Sequence, residues 1–340
     1  MKSHTVPKAL LDQFAYNDPI TKSRRLWRYQ KGRKPYWKAS PDTATRIDGH
    51  FADPRDEAKE LELETRLNQE FEQPVNEYLA QLGYQTFVFN RTHIRQLTGY
   101  VTLLFNRSQA RRSASRYLVD IMVDSMRKLL ADEDKLARVA AKWTLDAIAD
   151  GYGLVVTPDF VTQRLEEALA DYVSEDQPQH SYVGTMENAM STLDEGILNG
   201  DWHVVNSTPD DPFVIGDAPV VTWERDDRNF MIYGQGFTRA NVEVFLPVSP
   251  MACLHILPRV ERTRPVVKPA PMEVNVAQAQ FATEFCFANL CSEAINVALQ
   301  PRFGHSRIGI TAFSVRHRDF SNTMFEIIMN RGNWVEPPRH

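Results

Sequence analysis

The chain has 340 residues, of which 43% are apolar and 24% charged, and its formal net charge is −5. This composition is typical of a soluble globular protein, and the negative charge disfavours a protein that coats nucleic acid non-specifically. Three cysteines without a CxxC pair (Cys253, Cys286, Cys291) argue against a disulfide framework or a zinc site. We see no signal peptide and no apolar run of membrane-spanning length, so we expect a cytoplasmic protein outside the membrane.

Residues 22–38 are predicted to form a β-hairpin with its turn at Lys31-Gly32-Arg33. The segment interleaves eight lysines and arginines with four aromatic residues. On a β-ribbon, cations can contact phosphates while exposed rings stack on bases, so the hairpin is a candidate nucleic-acid surface. The alternative is that the rings face the core and the cations protect an edge strand from aggregation. The candidate binding residues are Arg24, Arg25, Trp27, Arg28, Lys34 and Trp37.

Helices are predicted for most of the chain between the hairpin and residue 200. A long helix follows Asp53-Pro54 with an apolar stripe, and Pro74 predicts a kink or a new helix start within it. The stripe consists of Leu63, Leu67, Phe71 and Tyr78. A short strand is predicted over 86–89. Further helices are predicted over 92–110, 114–131, 133–150, 157–172 and 182–198, the fourth with Thr157 as its N-cap.

Strand-like segments dominate after residue 200. They lie at 202–206, 213–215, 220–223, 241–246 and 252–257, and are followed by a predicted helix over 274–299 and a closing pair of elements at 308–315 and 321–329. Because helices and strands are segregated along the chain, we predict an α+β fold. It has a helix-rich N-terminal two-thirds with an N-terminal β-hairpin, a mostly antiparallel sheet from about 202–260 and a C-terminal helix. We expect a single domain over 1–340, with a subdivision into a helical layer (1–200) and a sheet with helices (201–340) as the alternative.

Asp217 is the strongest local candidate for a functional side chain. It follows the apolar run Phe213-Val214-Ile215-Gly216 and precedes Ala218-Pro219. An acid held in a fixed direction at the end of a strand suits a metal ligand or a general base. The alternative is that Asp217 caps the turn by accepting hydrogen bonds from backbone amides.

Glu70, Arg107 and His4 could form a site with Asp217. Glu64 and Glu70 are separated by about 240° around a helix, so only one can face the apolar stripe, and Glu70 is the candidate that would need a buried partner. Arg107, at the end of an apolar helical run, could neutralise a carboxylate or bind a phosphate. His4 titrates near neutrality and could be a base, an acid or a ligand. The alternatives are surface acids, a solvated basic helix end and a structural histidine.

Five short motifs, taken in chain order, resemble the bacterial domain-of-unknown-function family 4238. They are His4-x-Val6-Pro7, the Glu64/Glu70 helix, Arg107-Ser108, Asp217-x-Pro219 and Leu246-Pro247-x-Ser249-Pro250. Ala218 departs from the polar residue, often Asn, expected in the fourth motif. The resemblance implies a bacterial or phage setting and assigns no activity.

Two functions compete at this point. The first is a metal-dependent hydrolase of a phosphodiester or nucleic-acid substrate, such as a defence or toxin-type effector. In it His4, Glu70 and Asp217 supply bases or ligands for a divalent metal, and Arg107 stabilises negative charge within one cleft. The second is a non-enzymatic protein that binds nucleic acid or a protein partner. In it the same residues form a buried network that holds the N-terminus on the helices. The scattered polar motifs favour the first function slightly.

Overall fold

The computed structural model describes residues 2–34, 36–56, 58–83, 87–149, 151–174, 176–191, 193–225, 231–233, 237, 240–263, 265–303, 313–316 and 324–327. Residue contacts divide the chain into two compact units, and each is described by itself. The first contains Met1–Arg112, Tyr182–Ile308 and Val335–His340, and the second contains Ser113–Ser181 and Gly309–Trp334. The expectation of a single domain, or of a boundary near residue 200, stays a prediction.

The described residues of the first unit form three antiparallel sheets. Its strands are β1 (Lys2–His4), β2 (Tyr16–Asn17), β3 (Arg24–Gln30), β4 (Tyr36–Ala39), β5 (Arg46–Asp48), β6 (Asp201–Asn206), β7 (Ile215–Gly216), β8 (Val221–Arg225), β9 (Met231–Tyr233), β10 (Glu243–Ser249), β11 (Ala252–Leu257) and β12 (Phe285–Ala288). One five-stranded sheet, which we call the large sheet, has the order β6-β11-β10-β8-β9. A second has the order β2-β3-β12-β7 with β4 also paired to β3, and β1 pairs with β5.

Helices precede and follow the large sheet along the chain. They are α1 (Lys8–Gln13), α2 (Lys59–Arg66), a π-helix (Leu67–Glu72), α3 (Gln73–Asn76), a 3₁₀-helix (Leu79–Gly83), α4 (Arg91–Asn106), α5 (Gln109–Leu130), α6 (Glu133–Ala149), α7 (Pro158–Tyr172), α8 (Gln177–Ser191), α9 (Glu195–Leu198), α10 (Pro271–Phe281), α11 (Glu293–Leu299) and a second 3₁₀-helix (Gln300–Arg302). Together with the antiparallel sheets they confirm the predicted α+β class and its helix-rich first two-thirds. The Thr157 side chain accepts a hydrogen bond from the Phe160 amide and starts α7, as predicted.

The N-terminal segment is built into the core of the first unit. Val6, Leu10 and Phe14 have no exposed surface and belong to one apolar cluster with residues of α4 and of the large sheet. The amide and carbonyl of Val6 both bond the Thr45 hydroxyl, at 3.3 and 3.0 Å. Burial of these side chains fixes where β1 and His4 lie, which positions the site described below.

The second unit has its own core and a strand pair. Its core residues lie on α5, α6 and α7 and comprise Met122, Met126, Leu136, Ala140, Trp143, Val161 and Leu165. β13 (Phe313–Arg316) and β14 (Met324–Ile327) pair with each other in antiparallel orientation. The remainder of the predicted closing pair, at 308–312, 321–323 and 328–329, lies outside the described residues.

Three predicted elements were wrong. The single helix expected over 182–198 is α8 and α9, with residues 193 and 194 between them outside any helix. The single helix expected over 274–299 is α10, β12 and α11, because residues 285–288 pair with β3 and β7 instead of continuing the helix. This also places Cys286 in a strand rather than a helix, buried like Cys253, whereas Cys291 is exposed. Residues 87–89 of the strand expected over 86–89 form no strand, since the Phe87 ring packs against Tyr78 and His93 instead. Thr86 lies outside the described residues.

Candidate functional site

Arg107 is the centre of a buried polar cluster. Its backbone N–H bonds the Leu103 carbonyl at 2.9 Å, so the residue closes α4, and its side chain is 1% exposed. The guanidinium donates from Nη1 to Glu72 Oε1 at 2.5 Å and from Nη2 to the backbone carbonyl of His4. It also lies 5.7 Å from the centre of the Phe51 ring. A buried charge needs such compensation, and here an ion pair and a carbonyl provide it.

Glu64 is a second carboxylate beside Arg107. Burial raises the pKa of the Glu64 carboxyl, while Ser3 and Arg107 nearby favour its charged form. For Arg107 itself, burial opposes the charged form, but Glu72 and then Glu64 outweigh burial and raise the pKa of the guanidinium. The cluster therefore contains one permanent cation held between two carboxyl groups.

The π-helix explains why Glu64 and Glu72 both act on Arg107. Leu63, Leu67, Phe71 and Val75 are all buried, at a constant spacing of four residues. In an uninterrupted α-helix, residues eight apart such as Glu64 and Glu72 differ by about 80° around the axis. The wider π-turn removes most of that difference, which brings both carboxylates to the same side.

Pro74 gives a local reason for the π-helix. In a regular α-helix, the amide of residue 74 would donate to the carbonyl of Glu70, four residues earlier. Proline has no N–H, so this bond cannot form and the turn is free to widen. A new helix, α3, begins next to Pro74, in agreement with the sequence expectation.

His4 and Glu70 occupy different environments. His4 donates from Nε2 to the Asp42 carbonyl at 2.9 Å, and its own carbonyl accepts from Arg107. Glu70 is exposed and pairs with Arg66 at 3.3 Å, one turn earlier on the same helix. Of the four predicted catalytic residues, the structure thus brings His4 and Arg107 together, and the carboxylate paired with Arg107 is Glu72 and not Glu70.

His50 contacts the backbone carbonyl of Arg107, and Tyr182 contacts His50. His50 Nε2 lies 2.7 Å from the Arg107 carbonyl oxygen and 2.8 Å from the Tyr182 hydroxyl. Because a carbonyl can only accept, Nε2 carries the proton. Burial lowers the pKa of His50 to about 4, so the ring is neutral at physiological pH.

Several residues of this cluster were not found from the sequence. Glu72, His50 and Tyr182 carry no motif of their own, and their contacts join segments far apart in the chain. The repeated spacing of four between apolar residues was the available signal for Glu72. A regular α-helix would alternate spacings of three and four.

Asp217 lies in a separate buried network. Its side chain is 8% exposed, with Oδ1 accepting from the Thr283 amide at 2.7 Å and Oδ2 from the amides of Glu284 and Phe285 at 2.8 and 3.1 Å. Burial raises the pKa of Asp217 to about 6, although the three amides favour the carboxylate. These are the contacts of a cap, and among the described contacts none joins Asp217 to the Arg107 cluster.

Helix α10 holds the segment around Asp217 with two buried amide side chains. Asn275 accepts from the Val214 amide at 2.8 Å and donates to the Pro212 carbonyl at 2.9 Å. Gln278 accepts from the Gly216 amide and donates to the Pro219 carbonyl, both at 2.8 Å. The direction of the Asp217 side chain is therefore fixed by bonds on both sides of it in the chain.

The predicted basic hairpin is β3 and β4, which pair with Trp27 opposite Trp37. Tyr29 is fully buried, and its hydroxyl donates to the Leu290 carbonyl and accepts from the Ser292 amide, both at 2.9 Å. Trp27 is half-buried and stacks on Tyr16, with ring centres 6.3 Å apart.

The cations of the hairpin divide into packed and exposed groups. Arg28 lies over the Phe285 ring at 4.3 Å, and Arg25 is half-buried. Arg24 is exposed and bonds the Asp12 carbonyl, and Lys34 is exposed at the turn. The described rings thus contact the core while several cations remain at the surface. The side chain of Trp37 lies outside the described residues.

The fold and the site define an α+β protein in which a buried arginine holds the N-terminal strand to the helices. Its family is the proteins of unknown function DUF4238: the family matches residues 2–289, and the chain belongs to it. The matched region includes the whole Arg107 cluster and Asp217. No curated protein and no solved structure matches the chain.

The described residues contain neither a cluster of metal ligands nor a helix that could span a membrane. Among those residues, no three His, Cys, Asp or Glu side chains are grouped so that they could hold a metal ion. Across the same part of the chain, no helix combines the length and the apolar character needed to cross a membrane.

Proposed function

We propose that this protein acts by binding a partner and that its polar motif residues hold the fold together. The observation that carries the proposal is the use of the predicted catalytic side chains in internal contacts. Arg107 bonds Glu72 and the His4 carbonyl, His4 bonds the Asp42 carbonyl, and Asp217 bonds three backbone amides. Side chains engaged in this way serve to specify one arrangement of the chain.

The hydrolase hypothesis has less support from these contacts. It requires His4, Glu70, Arg107 and Asp217 to converge on one substrate. Glu70 instead pairs with Arg66 at the surface, and both Asp217 oxygens accept hydrogen bonds from the backbone. The Arg107 side chain, 1% exposed, is also poorly placed to touch a substrate.

The network has a clear structural task at the start of the chain. β1 pairs with β5, and Arg107 reaches the carbonyl of His4 at the end of β1. His4 in turn bonds the Asp42 carbonyl, on the segment that leads into β5. A three-residue strand has little stability alone, so these bonds are what fasten it to α4.

A thermal-shift titration with Mg²⁺, Mn²⁺ and Zn²⁺ tests the proposal. A metal that binds the native state alone raises the melting temperature. We expect any metal-dependent shift of the wild-type melting temperature to persist in Asp217→Ala. We also expect Asp217→Ala to melt at a lower temperature than the wild type in the absence of metal. A shift in the wild-type protein that disappears in Asp217→Ala would contradict the proposal and favour the hydrolase.

A further inference from the structure

We infer that the β3–β4 turn and the 3₁₀-helix Gln300–Arg302 together form a surface that binds the phosphate backbone of nucleic acid. This inference rests on the proposed binding function and names the partner. We call the surface the cationic turn surface, and its charged members are Lys31, Arg33, Lys34 and Arg302. All four side chains are exposed.

The cations of this surface come from two parts of the chain that are free of acids. The sequence has no Asp or Glu between Asp18 and Asp42, and none between Glu293 and Asp319. The positive charge of the turn is therefore not neutralised by neighbours in the chain. This local excess differs in sign from the net charge of −5 of the whole protein.

Gln300 joins the two parts. Its Oε1 accepts from the Gly32 amide at 2.6 Å, and its Nε2 donates to the carbonyls of Gln30 and Arg33 at 2.8 and 2.9 Å. Lys31 adds a bond to the Phe303 carbonyl at 3.5 Å. Gly32 has a φ of +70°, a conformation that suits glycine.

These bonds order the backbone that carries the cations before any partner binds. One amide side chain satisfies three backbone groups across the turn, so the carbonyls of Gln30 and Arg33 and the amide of Gly32 are fixed relative to one another. Arg302 lies two residues after Gln300 and is exposed next to this contact in the chain. A pre-ordered surface loses less conformational entropy on binding.

The aromatic residues of the hairpin decide what kind of contact the surface can make. Base recognition in single strands uses exposed rings as stacking platforms. Tyr29 is fully buried and Trp27 is half-buried against Tyr16, so the described rings offer little free face. Cations without stacking rings bind phosphates, which gives affinity that depends on salt and not on sequence.

The test is fluorescence anisotropy with labelled single-stranded and duplex DNA of about 20 nucleotides, a length greater than one binding site. The measurements are made in EDTA between about 50 and 200 mM salt. If all four cations contact phosphates, the slope of log K against log salt falls by about 3 when they are removed, since each contributes about 0.7–0.9. We expect the quadruple variant to bind DNA at least about tenfold more weakly than the wild type at the low-salt end. Its substitutions are Lys31→Ser, Arg33→Ser, Lys34→Ser and Arg302→Ser.

Two further variants make the result specific. The matched control removes four exposed cations of the second unit, Arg127, Lys128, Arg138 and Lys142, each replaced by serine. It changes net charge equally and should retain wild-type affinity. Gln300→Ala keeps all four cations but removes the bonds across the turn, so we expect a several-fold loss of affinity with little change in salt slope.

The inference is overturned if wild-type protein binds neither single-stranded nor duplex DNA, or if the control variant loses as much affinity as the surface variant. It is also overturned if poly-glutamate displaces DNA at equal charge concentration, because the partner would then be an acidic protein. Repeating the assay with Mg²⁺ and checking the DNA on a gel separates the two proposals. Cleavage would contradict the proposed binding function alone, whereas absence of both binding and cleavage would contradict only the choice of partner.

Discussion

Arg107 and Glu72 form an ion pair 2.5 Å long that depends on an irregular turn in the partner helix. The arginine comes from the end of α4 and the glutamate from the last position of the π-helix. Glu70, two residues earlier, lies on the outside of the same helix with Arg66. Two glutamates of one helical turn therefore have very different surroundings, which allows their contributions to be compared directly.

Glu72→Ala should destabilise the protein far more than Glu70→Ala. Removing Glu72 leaves a buried guanidinium with only part of its compensation, which we expect to cost about 3 kcal/mol of unfolding free energy. Removing Glu70 breaks an exposed pair, which should cost less than about 1 kcal/mol. Urea denaturation of the two variants measures the difference, and equal costs would show that Arg107 does not need Glu72.

Gly99→Ala should destabilise the protein, although alanine is the better helix former. A Cβ at Gly99 would lie 2.9 Å from two ring atoms of Phe71, in the π-helix. Overpacking of this kind costs about 1–3 kcal/mol, against a gain of about 1 kcal/mol in helix propensity.

Gly184→Ala in α8 is the matched control for Gly99→Ala. A Cβ at Gly184 meets no atom within 4 Å, so this variant should gain up to about 1 kcal/mol. Thermal or urea unfolding gives the sign of each change. Stabilisation by both substitutions would mean that there is room for a methyl group between Gly99 and the Phe71 ring.

Acidification should weaken the protein through His50. The pKa of His50 is lowered by burial to about 4 in the folded protein, against about 6.5 when unfolded, so between these values the unfolded chain binds more protons. Stability contributed by the neutral ring is therefore complete above about pH 6.5 and is lost as the pH falls toward 4. Between pH 7 and pH 5 the loss is about 2 kcal/mol.

His50→Gln isolates this effect, because the amide can still donate to the Arg107 carbonyl but does not titrate. The comparison is necessary since Asp217, with a pKa raised to about 6, acts in the opposite direction and favours the folded state as the pH falls from 6 to 4. We expect the stability difference between wild type and His50→Gln to shift by about 2 kcal/mol against the wild type from pH 7 to pH 5. A constant difference would mean that His50 is not buried as a neutral ring.

Asp217→Ala should destabilise the protein with or without metal. The substitution leaves the amides of residues 283–285 without their acceptor, and each buried unpaired group costs about 1–3 kcal/mol. Asp210→Ala, at an exposed position seven residues earlier, should change stability by less than about 0.5 kcal/mol. If Asp217→Ala unfolded at the same urea concentration as Asp210→Ala, the cap would not contribute to stability.

Local patterns predicted the elements whose causes lie in neighbouring residues. The β3–β4 hairpin follows from its alternating residues and from glycine at the turn, and α7 follows from the Thr157 cap. The strands of the large sheet follow from β-branched and aromatic runs separated by turns. Each of these signals acts over a few residues, so it can be read without knowing the rest of the fold.

The errors have causes that are distant in the chain. The apolar pattern over 274–299 is compatible with a helix, but the Asp217 carboxylate binds the amides of residues 283–285 and the chain then enters β12. Likewise, Glu72 is brought to Arg107 by an extra residue in the helix and by a partner 35 positions away. A prediction that assumes 3.6 residues per turn places Glu70, and not Glu72, beside the apolar stripe.

The π-helix also sets a limit on the length of its segment. Asn68 and Gln69 are exposed, and substitutions at either should be tolerated. Deleting one of them would restore a regular α-helix and leave Glu72 seven residues after Glu64, within about 20° of it around the axis. Adding one residue is a different matter, because it would rotate every following residue by about 100° and shift it by about 1.5 Å. After such an insertion Glu72 would leave Arg107 and Val75 would leave the core, so this stretch can vary in composition but cannot gain a residue.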